Sequence, residues 1–251
     1  MPESTSTLAE DDSAHSHDVN GIYSSIDAEL DDDAVDVAGV RFLGDVELFG
    51  TAIYQTQDVD QRHAAIVFKD RDNKHMSLLH LAWHMRLMCD PLKPQYRCVP
   101  MQGFDEEELQ YFAEHASRVY SENQDGIPYG INYTGAAVFD DNSKFLDNPK
   151  AGLTCATFIL GFFENLGFQL LDFSSWESRL DDVVWQNKIY AALERELKEA
   201  ALIEQKELIG TAFRFRPEEV ISSAAIYDVK PIGFDDAVIN GQKLLDEIAI
   251  S

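Results

Sequence analysis

The sequence predicts an α+β protein, a small antiparallel sheet packed by one very apolar helix and several further helices. Three stretches predict it. The compact apolar runs "RHAAIVFK" (62–69) and "MSLLHLAWH" (76–84) flank the turn signal "RDNK" (71–74), the pattern of a β-hairpin. "FDEEELQYFAEHASRVYSEN" (104–123) sets Leu109, Phe112, Ala116 and Val119 at helical spacing behind a capping Asp105. "GLTCATFILGFFENLG" (152–167) is apolar nearly all round, with a glycine past its end.

In chain order, residues 1–38 come first. Residues 1–40 hold no Lys or Arg, and residues 1–36 hold eleven of the chain's 45 acids. Rich in Ser, Asp and Ala and without apolar periodicity, the segment reads as a disordered acidic tail. Residues 39–56 hold two apolar runs broken by Gly44 and Gly50, one or two strands with a turn. In the second hairpin member, Leu79, Trp83 and Leu87 also fit a helical four-residue step. "CDPLKPQYRCVP" (89–100) holds three prolines and reads as loop or edge strand.

Residues 124–152 form a long connection with little pattern, a kind that often packs over a site. After the apolar helix, "LGFQLLDF" (166–173) reads as a short strand. Residues 174–208 read as one long helix or two, capped by Ser174 or Ser175, with Trp176, Leu180, Val183, Val184, Tyr190, Leu193, Leu197 and Ala201 on one face. "TAFRFRPEEVISSA" reads as a strand leading into a helix with Pro217 in its first turn, and "GFDDAVINGQKLLDEIAIS" (233–251) as a last helix.

Length and charge narrow the function. A chain of 251 residues builds one sizeable core without disulfides. The net charge of −25 repels nucleic acid and anionic lipid. No secretory leader and no run of eighteen apolar residues is visible, so the expectation is a cytoplasmic chain without a membrane span. Cys89, Cys98 and Cys155 are an odd count and read as thiols. No CxxC, HExxH, P-loop or GxGxxG occurs, so neither metal nor nucleotide cofactor is expected.

Cys155 carries the candidate chemistry. With Thr154 as N-cap it stands at the first position of its helix, where free N–H groups favour a thiolate and an oxyanion on a substrate carbonyl. From this segment alone, core packing is the favoured reading. A thiol nucleophile needs a base and a group that orients it. His63 opens "HAAIVF", His80 lies in "LLHLAWH", and a hairpin brings the two to one sheet face.

"RHAAIVF" followed by "LLHLA" resembles the paired strands of lecithin:retinol acyltransferase-like proteins, the circularly permuted branch of the NlpC-type papain-like hydrolases. There a strand-opening His, a second His on the next strand and a later Cys at a helix start occur in the order seen here, with Tyr129 of "GIPYG" between. The resemblance spans roughly 40–223. It implies a permuted papain-like domain at 39–223, with 174–208 inserted and a helical extension at 224–251. It further implies Cys155 as nucleophile, His63 as base, His80 as orienting group, and Tyr129 and Thr154 beside the substrate. T-C-A-T-F stands where the family has N-C-x-x-F, and His75 and His84 are alternatives for the third residue.

Two functions follow. One is a cysteine hydrolase or acyltransferase that acts on an amide, thioester or ester carbonyl in an acyl or peptide-type substrate and needs no cofactor. The other is a non-catalytic acidic protein that engages a basic partner through its tail.

Overall fold

The computed structural model describes residues 41–57, 61–69, 75–146 and 152–251; the acidic tail and the "RDNK" turn lie outside them. The fold is mixed α+β, a five-stranded antiparallel sheet with six helices. The strands are β1 (Phe49–Gln55), β2 (Arg62–Lys69), β3 (Met76–Trp83), β4 (Arg86–Pro91) and β5 (Arg97–Pro100), ordered β4-β3-β2-β1-β5. The hairpin of β2 and β3 forms as the alternation predicts, and Leu79, Trp83 and Leu87 form no helix. The proline-rich 89–100 segment supplies both edge strands, where a missing N–H faces no partner. In residues 39–56 a single strand forms, and Gly50 runs through it.

The helices are α1 (Glu106–Glu122), α2 (Cys155–Asn165), α3 (Asp182–Leu193), α4 (Glu199–Glu207), α5 (Pro217–Ala225) and α6 (Phe234–Ile250). Asp105 caps α1 in a full capping box with Glu108. Phe112, Ala116 and Val119 of its stripe are buried. Phe158, Ile159, Phe162 and Phe163 of α2 are fully buried, and Phe162 stacks on Phe49 of β1 with ring centroids 5.7 Å apart. The main core joins α1, α2, α5 and α6 to one sheet face through Ala64, Ile66, Phe68, Leu79 and Leu81. On the other face, Ala52, Tyr54, Ala65, Val67, Leu78 and Tyr96 form a smaller cluster. Buried Glu247 of α6 accepts the N–H groups of Phe42 (2.9 and 3.0 Å) and Leu43 (2.9 Å), fixing the entry to the sheet.

Three segments depart from the sequence expectation. Residues 166–173 form no strand; Leu171 makes one isolated bridge to Ile232, so alternation there has no ladder to join. Residues 211–216 likewise stay irregular, and Phe215 packs on Trp176 instead, with centroids 4.8 Å apart. Residues 174–208 divide into a 3-10 turn, α3 and α4. Ser174 and Ser175 cap no helix: Asp172 closes the turn, and Ser175 Oγ accepts the Phe234 N–H. The face read from the sequence is also displaced. Trp176 and Leu193 of that face are buried, but Leu180 is 99 % exposed and Val183 and Val184 are exposed too, while Gln186 and Ile189 point inward in their place. Gln186 is buried because its amide bonds the Ala212 carbonyl and the Gly210 N–H, a polar use that a hydrophobic pattern does not register.

Candidate functional site

The start of α2 is rigidly made. Thr154 Oγ1 accepts the Thr157 N–H at 3.1 Å, and Thr157 Oγ1 accepts the Thr154 N–H at 2.7 Å, a capping box built from two threonines. Just upstream, Leu153 bridges Tyr129 in parallel fashion. That crossing needs glycine: a Cβ on Gly152 would lie 2.8 Å from the Gly130 Cα and N. Tyr129 is thereby set beside the helix start. Tyr129, Thr154 and Cys155 line one cavity of about 20 Å³, room for about one water.

Where the thiol meets the sheet follows from the hydrogen-bond parity of β2. Lys69 N–H bonds Leu48 O on the β1 side, so the even-numbered residues of β2 turn their backbone groups toward β3. The β2–β3 ladder ends at the Ile66–Leu79 pair. The Ala64 N–H, next in that series, is near enough to favour the Cys155 thiolate, as are the N–H groups of Ala156 and Cys155 itself. The sulfur thus lies near the point where β2 and β3 part, packed in the main core with Ala64. Burial nevertheless outweighs these donors and pushes the thiol pKa up to about 11.

His63 and His80 come together as the hairpin predicts. Their rings are edge to face, with His63 Nε2 and His80 Nδ1 2.8 Å apart. They lie on the smaller-cluster face, flanked by Tyr54 and Tyr96. The sequence reading missed the next member, Asp90: His80 Nε2 is 3.4 Å from Asp90 Oδ2, which is 2.8 Å from Lys93 Nζ. Asp90 belongs to edge strand β4, and a Cys-Asp-Pro tripeptide carries no signal of that pairing.

This chain of contacts settles the proton positions. Burial raises the Asp90 pKa, but Lys93 and His80 outweigh it and hold the carboxyl below its ordinary value, ionised at neutral pH. Burial lowers the pKa of both imidazoles, with like charge from His80 and Lys93 adding to the effect at His63, so both are neutral at pH 7. An ionised Asp90 only accepts, so His80 carries its proton on Nε2 and its Nδ1 is a lone pair. His63 therefore donates from Nε2, and its own Nδ1 is left as the basic nitrogen.

Among the described residues neither imidazole hydrogen-bonds the Cys155 thiol. His84 stands apart from the pair: its Nδ1 accepts the Tyr129 N–H at 3.2 Å. His75 is exposed at the start of the hairpin's second strand.

No family model, curated protein or solved structure matches the chain.

The Cys155 cavity adjoins a larger cleft of about 480 Å³ that shares Arg62, Trp185, Arg214 and Pro217 with it. The Arg214 guanidinium lies over the Trp185 ring, 4.6 Å from its centroid. Of these wall residues the sequence singled out Pro217 alone, as a helix-start proline and not as part of a site, since they come from β2, α3, the irregular segment before α5 and the start of α5. Cys89, Cys98 and Cys155 are all free thiols. Among the described residues no helix is long and apolar enough to cross a membrane.

Proposed function

We propose that the chain is a cysteine hydrolase or acyltransferase of the circularly permuted papain-like type, with Cys155 as nucleophile and His63 as general base. The observation that carries this reading is the relay Lys93–Asp90–His80–His63, which leaves Nδ1 of His63 unprotonated on the residue before Ala64, whose N–H favours the Cys155 thiolate. His80 orients the base and, through Asp90, stabilises the imidazolium that forms.

In the resting state the thiol and the imidazole are both neutral. As the sulfur attacks a carbonyl, its proton passes to His63 Nδ1 and the carbonyl oxygen becomes an oxyanion. The Cys155 N–H, free of helix bonding, donates to that oxyanion. Collapse of the tetrahedral intermediate breaks the bond to the leaving group, which takes the proton from His63. Water, an amine or an alcohol then releases the acyl group by the same steps in reverse. The mechanism requires the thiol, which packs in the main core, to come within reach of His63 on the smaller-cluster face when substrate enters the cavity lined by Trp185 and Arg214.

One observation favours the second reading, a non-catalytic binding protein: Cys155 is only 7 % exposed, in a cavity that admits about one water. Incubation with p-nitrophenyl acetate separates the two. The proposal expects an acetyl group on Cys155, located by peptide mass spectrometry and lost in His63→Ala. An unmodified Cys155 supports the second reading.

A further inference from the structure

In a chain of net charge −25 the cleft beside Cys155 collects cations. Arg62, Lys188, Arg214 and Arg216 line it. The acids there are largely committed: Glu218 pairs with Arg62 at 3.3 Å, and Glu219 with Arg179 at 2.7 Å. Asp181 is the carboxylate that contacts both remaining arginines, Arg216 at 2.7 Å and Arg214 at 3.6 Å, with the charges of Asp182 and Glu218 also acting on Arg214. Asp181 is also mostly exposed, which weakens its hold on either. Arg214 is buried, and Arg216 keeps an Nε–H with no partner. Two guanidinium forks that share one exposed carboxylate, one of them with an unpartnered Nε–H, can take a planar anion between them.

We infer that this cleft binds a carboxylate carried by the acyl substrate, held between Arg214 and Arg216, with the aliphatic part on the Trp185 face. The inference deepens the proposed function and rests on it for the position of the attacked carbonyl. Arg214 lines both the cleft and the Cys155 cavity, so a carboxylate a few bonds from the carbonyl spans the two.

Two measurements on the full chain test it. In Cys155→Ser, titrated glutarate should shift the Trp185 indole N–H resonance saturably while Trp83 stays fixed, and glutaramide should not. Arg216→Gln should weaken the glutarate effect about tenfold and Arg216→Lys much less, with the effect declining as salt rises. An unfolded Arg216→Gln would show in the Trp176 resonance, and Arg216→Lys with the salt series then decides. No shift, or equal shifts with glutarate and glutaramide, overturns the carboxylate site. In the native chain, mono-p-nitrophenyl glutarate should acylate Cys155 about tenfold faster than p-nitrophenyl acetate, against the chain's overall charge. A glutarate shift with no acylation by either ester keeps the carboxylate site and removes the nucleophile. Equal acylation by both esters with no shift does the reverse.

Discussion

His115 on α1 is 3 % exposed, its ring centroid 4.8 Å from that of Phe162 and its Nε2 without a partner. Burial, helped by Arg118, lowers its pKa to about 4. The folded state therefore binds fewer protons than the unfolded state between pH 6.5 and about 4, so stability falls as pH drops through that window. His115→Phe removes this loss. Urea denaturation should show the variant gaining about 2 kcal/mol on the wild type between pH 8 and pH 4.5. An unchanged difference would mean that the ring is not buried as described. At this scale the site was legible only in part. His63 and His80 were legible because strand parity puts them on one face. Asp90 was not, because its role depends on β4 returning beside β3, a tertiary event with no local signature.

The capping residues allow a comparison of two elements. Thr154 caps α2 and Asp105 caps α1, each with a reciprocal side-chain bond. Replacing either by Ala should cost about 1 kcal/mol in urea denaturation. Thr154→Ala should also change the alkylation rate of Cys155, since it loosens the turn that aims the sulfur, whereas Asp105→Ala should leave that rate alone. Equal effects on the rate would detach the α2 cap from the site. The elements legible in the sequence, α1, α2 and the β2–β3 hairpin, combine a cap or turn signal with a buried stripe of matching period. Residues 166–173 and 174–208 lack that agreement. The first has an alternating pattern without a partner strand, and the second buries Gln186 while exposing Leu180 and Val184.

Across the whole molecule, the excess of acids surrounds a site where cations gather: Lys93 holds the relay at one end, and Arg62, Arg214 and Arg216 line the approach to the thiol. The composition announced the first fact and concealed the second, because the cations are distant in sequence. The chain also contains its own control for the central claim. Burial raises Cys98, like Cys155, to a pKa of about 11, but Cys98 lies on edge strand β5, on the far side of β1 from the histidine pair. The most direct test is therefore the iodoacetamide alkylation rate of Cys155 and Cys98 in the same sample from pH 6 to pH 10, read by peptide mass spectrometry. With His63 as base, Cys155 should react at least about tenfold faster than Cys98 at neutral pH despite its deeper burial, and His63→Ala should abolish the advantage. Equal or slower labelling of Cys155, or an advantage that survives His63→Ala, would contradict the account.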